Sequence, residues 1–487
     1  MWRYVSIGLV AIWILMLGLY IDRNAPRSGS APTTVAANDV HATDEWMGVY
    51  HEKQKIGYTH SELHPASDGF SFAEDSLMRM RLLDAPQLVR AKAVGHADAD
   101  LALRDVEFEL HSGSNDLKVQ AEVRGAALHI EMSTGSDSSR QDIPLQQPIY
   151  LSSLTRAALR NETITPGYRK EMQVFDPMTL HNETASMTVE AWEAVPDQPG
   201  LSGWRVLEEA HGMKTTAWLD SQGSVLREDG PIGFTTIRET QEAAVHDGWP
   251  DSDGLDLARQ VAIPANRDIA DPRASRYLKV RLSGIGLEHL PSDAEQRSVD
   301  GVLTISRSMT GVANFHLPYS SHDGVELSEF LRATPLMQVE DPRLQKAAAA
   351  AIHGASDALE GSRRINQWVF EHLRKVPTVS LPNALEILDH GEGDCNEHAT
   401  LFTAMARAAG VPTRMVAGVV YLNRAFLYHA WAEVWLGRWV SVDPTLNQMP
   451  VDATHIKLVE GDVDAQMSLM DIIGKLQIEV IADQPLS

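Results

Sequence analysis

Apolar and polar residues alternate with period two over much of the first half of the chain. Trp46–Tyr50, Lys55–Thr59, Phe70–Phe72 and Leu77–Leu83 read as short strands, and Lys118–Val123 and Ala127–Met132 continue the pattern across Gly125. Pro148–Leu159 reads as a helix. Strands resume at Arg169–Phe175, Ala185–Val195, Gly203–Glu208, Thr215–Leu219 and Val225–Glu228, the last after the turn Asp220–Gly223. Short strands punctuated by turn residues predict a mainly antiparallel sheet. Tyr277–Leu282 and Val302–Arg307 add two more strands. From Asp341 the period lengthens. Leu344–Ile352 and Ser356–Arg374 are helical, the second with an apolar stripe of Ile365, Val369 and Leu373, and Ala384–Leu388 is a short helix. Cys395, Ala399, Phe402, Met405 and Ala409 then share one helix face, which Gly410 and Pro412 end. Arg414–Tyr421, Tyr428–Trp435 and Trp439–Pro444 are strand-like, the second alternating as a half-buried strand does. His455–Val459 and Lys475–Ile481 are expected to close the fold.

The amino terminus departs from both patterns. Val5–Ile21 is an unbroken uncharged run that, with the residues before it, is just long enough to cross a bilayer. Leu19-Tyr20-Ile21 is not a small-residue cleavage site, so an uncleaved anchor is expected rather than a signal peptide. A Pro/Ser/Ala-rich tether follows at Asn24–Asn38. The expected placement is a single-pass membrane protein with its body periplasmic or extracellular, the membrane being one partner through this helix.

Composition narrows the function classes. The 487 residues carry a net charge of −24, spread along the chain rather than held in a tail, which argues against nucleic acid and anionic lipid surfaces as partners. A single cysteine forms no internal disulfide and removes Cys-rich zinc sites. No cofactor and no metal are expected. Asp251–Asp256 has the acidic spacing of a calcium loop but lacks the later Glu of an EF-hand. His60 and His64 would share a strand face as an ordinary surface pair. Asn161 and Asn182 begin glycan-acceptor triplets, which matter only in a host that glycosylates them.

The one cysteine is where chemistry concentrates. Cys395 falls in the first turn of its helix, where free N–H groups and the positive end of the dipole favour a thiolate. Its own N–H is a natural oxyanion donor there. His429, Trp431, Glu433 and Trp435 lie on one face of the next strand but one, and Asp443 ends the strand after that. Neighbouring strands lie about 4.8 Å apart, so His429 and Asp443 can meet. A thiol, a base and an orienting carboxylate make an activated nucleophile.

Gly393-Asp394-Cys395 before a helix, His429-Ala430-Trp431 on a strand and Val442-Asp443-Pro444 on the next, in this order and spacing, resemble the transglutaminase-like core. The resemblance covers roughly residues 342–476. It implies a papain-like fold, with Cys395 as nucleophile, His429 as its base and Asp443 orienting the imidazole. Trp368 and Asn383 are candidates for the oxyanion donor that the family usually places upstream of the cysteine. The expected fold class is α+β: an anchor (1–23), a tether (24–44), a β-rich domain (45–250), a bridging β module (251–340) and a transglutaminase-like catalytic domain (341–487). The expected activity is thiol-dependent acyl transfer at amide bonds of a protein or peptide, to water or to an amine. A scaffold with an idle site, its function carried by the β-rich domain, is the alternative.

Overall fold

The computed structural model describes residues 42–483, apart from 83–84, 114, 135–136, 161, 178–179, 211–212, 247–255, 257–259, 287–289, 314, 320–326, 335, 378–382, 462–468 and 470–471. They form two compact units that divide between Asp256 and Leu257.

The first unit is one 15-stranded sheet. From the edge strand Asp137–Pro144, each strand pairs with the one before it in sequence, back to Thr43–His51. That strand pairs on its other side with Phe234–Glu239, and the order then runs back strand by strand to Ile149–Leu151. All pairs are antiparallel except Ile149–Leu151 with Arg169–Asp176. Side chains of one parity form rows across the strands. Phe72, Gly95, Val106, Ala121 and Ile130 are successive partners in one such row, and its four side chains are buried. A Cβ at Gly95 would lie 2.2 Å from the Asp105 carbonyl oxygen and 2.7 Å from Cζ of Phe72, so glycine lets the ring lie across the strand. His96, Asp105, Glu122, His129 and Asp142 form an adjacent row of the other parity, paired across strands as His96–Asp105 and His129–Asp142. Buried charge is paired too: Arg156 lies between Glu208 (2.8 Å) and Glu228.

The second unit carries the helices. Pro342–Ala351, Ala358–His372 and Ala384–His390 pack with the central helix Cys395–Ala408 into one apolar core. Asp341, Asp357, Asn383 and Asp394 cap the four helices through their side chains. The core includes Ala430, Ala432 and Val434 of the strand Ala425–Trp435, which lies beside Thr413–Leu422 and, beyond it, Ile456–Glu460. A separate four-stranded sheet orders Gln296–Val299, Val302–Ser306, Tyr277–Ser283 and Gln477–Ala482. Most of residues 257–340 thus lie in the same unit as 341–487.

Three expectations are corrected. The chain is not α+β overall but mostly β, with 50% strand against 17% helix. Its helices of a full turn or more concentrate at 342–408, whereas strands fill the first unit and much of the remainder. Pro148–Leu159 is a short strand and two single 3₁₀ turns, not a helix. The membrane anchor at 1–23 lies outside the described residues. A span needs about 20 apolar residues in helix, and among the described residues no helix is long and apolar enough to cross a membrane. The transmembrane helix, the membrane partner and the periplasmic or extracellular placement are accordingly withdrawn. The calcium-loop candidate also lies outside the described residues, apart from Asp256.

Candidate active site

The thiol is placed by two residues before it and two after it. Gly393 has φ +157°, and a Cβ there would fall 2.3 Å from Cβ of Glu397. Asp394 accepts a hydrogen bond from the Asn396 N–H (3.0 Å), and Glu397 Oε2 accepts the Asp394 N–H (2.6 Å) within a capping box. These bonds fix Cys395 as the first residue of a 14-residue helix, with 3% of its surface exposed. Gly393→Ala should therefore destabilise the protein by about 1–3 kcal/mol in urea unfolding and slow alkylation of Cys395. Unchanged values for both would show that the turn tolerates a side chain.

A gap in strand pairing opens the site. One edge of Ala425–Trp435 pairs with Thr413–Leu422 at residues 425–434. The other pairs with Ile263–Pro264 at residues 425–426 and with Trp439–Val442 at residues 432–435. Among the described residues no strand pairs with the stretch between, which holds His429. There the Ala430 N–H donates to Cys395 Sγ at 3.4 Å, a bond that strengthens as the sulfur becomes negative.

Asp443 follows the strand Trp439–Val442 and is completely buried. Its Oδ2 accepts from His429 Nε2 at 2.9 Å, and its Oδ1 accepts the N–H groups of Thr445 (2.7 Å) and Leu446 (3.0 Å). Burial pushes the carboxyl up, but His429 and His455 outweigh it and hold the pKa well below the usual carboxylate range. His429 Nδ1 is buried and has no hydrogen-bond partner. The structure thus brings His429 and Asp443 together and sets Cys395 against the backbone next to His429.

Sequence reasoning missed His455. It is fully buried, 3.1 Å from Asp443 Oδ2 through Nε2 and 3.3 Å from Asp452 Oδ1 through Nδ1. A histidine three residues after an aspartate, just ahead of an apolar run, was the available signal. His398, one turn along the nucleophile's helix, donates Nδ1–H to the Asp394 carbonyl (2.6 Å), and burial lowers its pKa to about 4, so it is neutral. Burial likewise lowers Lys375, whose ammonium stands over the Phe370 ring. The upstream oxyanion candidates have other contacts: Asn383 Oδ1 caps the helix Ala384–His390, and Trp368 stacks on His372. His60 pairs with Asp44 and stacks on Trp46, and His64 is exposed.

Among the described residues, three groups have ligand-type atoms within 4.8 Å of one another: His429, Asp443 and His455; Asp44, His60 and Glu62; and Asp293, Glu433 and Glu460. In the first, each imidazole Nε2 meets an Asp443 oxygen at hydrogen-bond distance. In the last, Lys457 sits among the three carboxylates, 2.5 Å from Asp293, 2.6 Å from Glu460 and 2.9 Å from Glu433.

The comparisons follow the same geography. Residues 345–444 match the transglutaminase-like superfamily. These residues are a transglutaminase-like domain. Over 101 residues the chain is 35% identical to a protein-glutamine gamma-glutamyltransferase of Pseudomonas aeruginosa, covering 18% of this chain and 15% of that protein. Over 131 residues it is 25% identical to an uncharacterized protein of Mycobacterium leprae, covering 24% and 47%. The chain thus spans less than half the length of these curated relatives. Among solved structures it is similar to a candidate cysteine protease from Cytophaga hutchinsonii, with 18% identity and a TM-score of 0.28 over 42% of this chain and 83% of that one. It is also similar to a β-barrel-like protein of a domain of unknown function from Brucella abortus, with 12% identity and a TM-score of 0.32 over 40% and 96%.

Proposed function

We propose that the protein performs thiol-dependent acyl transfer at amide bonds of a protein or peptide, with Cys395 as nucleophile. The observation that carries this reading is the hydrogen-bonded pair His429–Asp443 at 2.9 Å, with the thiol held on the adjoining backbone by the Ala430 N–H. His429 Nδ1 takes the thiol proton. The thiolate adds to the carbonyl carbon, and the oxyanion forms at the positive end of the Cys395–Ala408 helix, whose dipole favours it. His429 returns the proton to the leaving nitrogen, and the amine departs. Water or a second amine then attacks the thioester, His429 again accepting the proton, and the thiol is restored. Asp443 keeps Nε2 protonated and the ring in register throughout.

The relative from Pseudomonas aeruginosa favours an amine as acyl acceptor and a glutamine side chain as donor. Full-length protein incubated with a glutamine-containing peptide library and a labelled primary amine should incorporate the label, and Cys395→Ala should abolish incorporation. Release of new amino termini without incorporation would assign hydrolysis instead. Neither product, together with a Cys395 that alkylates as an inert thiol, would leave the idle scaffold.

A further inference from the structure

We propose that His455 is a positioning residue of the thiol site, an imidazolium protonated on both ring nitrogens that clamps the Asp443 carboxylate and sets a fixed positive charge behind His429. The inference deepens the proposed function and rests on it.

The geometry supplies the argument. A neutral imidazole offers one N–H and one lone pair. A lone pair aimed at a carboxylate oxygen is repelled, so a ring whose two nitrogens both face carboxylates is held in its doubly protonated form. His455 is such a ring: Nε2 lies 3.1 Å from Asp443 Oδ2 and Nδ1 lies 3.3 Å from Asp452 Oδ1. Both acids have their remaining positions fixed. Asp452 accepts from the Thr454 N–H (2.9 Å) and hydroxyl (2.5 Å) and from Gln448 Nε2 (2.8 Å). Asp443 accepts from His429, Thr445 and Leu446 as described. Neither carboxylate can turn away from the ring without breaking other bonds.

The surroundings agree. Burial opposes the charge on His455, but Asp452 and Asp443 outweigh it and raise its pKa above the ordinary histidine value, while His455 and these polar bonds bring Asp452 down to about 2 against its own burial. The Trp431 ring meets His455 edge to face at 5.3 Å, and the His429 ring lies 5.8 Å away. Arg307 donates to the His455 carbonyl rather than to its ring (2.8 Å). Asp443 also raises the neutral His398 on the nucleophile's helix and Lys375, each against its own burial. The result is a buried chain of alternating acid and imidazole: Asp452, His455, Asp443, His429.

The functional consequence is a displaced pH range. A cation behind Asp443 favours the thiolate and disfavours protonation of His429, so it lowers both limbs of the thiolate–imidazolium profile. At 5.8 Å between rings a unit charge is worth about two pH units at the other imidazole through a protein-like dielectric.

The test is the pH dependence of iodoacetamide alkylation in the full-length protein, where Cys395 is the single thiol. Three proteins are compared: wild type, His455→Gln, which keeps an N–H donor but no charge, and Asp452→Asn, which keeps the imidazole but removes the acid that protonates Nδ1. Both variants should shift both limbs upward, the imidazole limb by up to about two pH units. A wild-type thiolate–imidazolium profile unmoved in the variants overturns the role of His455 and leaves the proposed nucleophile standing. A wild-type thiol that titrates as a single step near the ordinary value of about 8.5 overturns both. Should His455→Gln fail to fold, the Asp452→Asn profile decides alone.

Discussion

Asp443→Asn is expected to cost roughly 10³–10⁴-fold in turnover and to slow alkylation of Cys395 at pH 6 by about 10²-fold. The carboxylate accepts at least four hydrogen bonds from inside the protein and donates none. An asparagine accepts at only one of these two positions and donates at the other. If its oxygen keeps the Thr445 and Leu446 N–H groups, its NH₂ faces the Nε2 atoms of both histidines. His429 must then present a lone pair at Nε2 and carry its proton on Nδ1, the nitrogen that the proposed mechanism needs as a base. The loss is thus a tautomer inversion with little change of shape. Stability falls as well. The folded-state pKa of Asp443 is depressed, so its contribution is fully present above the unfolded carboxylate value of about 3.9 and disappears as pH falls below it. The variant's stability deficit in urea should therefore be largest above pH 5 and shrink in acid. An Asp443→Asn protein that alkylates like wild type from pH 5 to 8 would remove Asp443 from the mechanism.

Lys457→Met is the second large effect, on stability: about 3–5 kcal/mol. The Lys457 ammonium is 1% exposed and reaches Asp293, Glu433 and Glu460. Glu433, equally buried, also accepts from Arg414 (2.6 Å) and from the Ser441 hydroxyl (3.1 Å). Methionine matches the lysine stem in length, so no large cavity forms. What remains is three carboxylates with one cation gone, of which Asp293 and Glu460 reach solvent and Glu433 does not. Urea unfolding at pH 7 measures the loss, and adding Glu433→Gln should recover part of it. A midpoint unchanged by Lys457→Met would show that the ammonium does no more than offset its own burial.

The thiol site was legible because its signals are local. Gly393, Asp394 and the three-to-four spacing after Cys395 specify a capped helix start, and the actual helix begins at Cys395. The strand holding His429 was recognised by period two. Its expected half-burial was not met, because nearly every position from Phe426 to Val434 is covered on both faces. Glu433 shows why: a polar residue in an alternating pattern reads as solvent-facing, yet here it meets Lys457 inside the protein. That partner comes from a distant strand and leaves no mark on the local period. His455 escaped for the same reason, since its meaning depends on Asp443 across a fold that spacing does not encode. In the first unit, the pattern marks strands such as Lys55–Thr59 only as fragments of longer ones, here Gln54–Ala66, because alternation fades where both parities carry polar groups. Pro148–Leu159 has helix-like apolar spacing, but tertiary burial takes it into a short strand and turns.

The order of strands in the first unit also sets a schedule for folding. Nearly every pairing joins chain neighbours, so both strand series can zip from their own turns at low loop-closure cost. The pairing of Thr43–His51 with Phe234–Glu239 is different, for it brings together residues such as Tyr50 and Glu239 that stand 189 positions apart. It is therefore the late event. Until it happens, two preformed sheets each present an unpaired strand edge, and a neighbouring chain offers the same complementary edge as the correct partner. Chain concentration during synthesis then competes directly with intramolecular closure, and the yield of native protein depends on which edge arrives first.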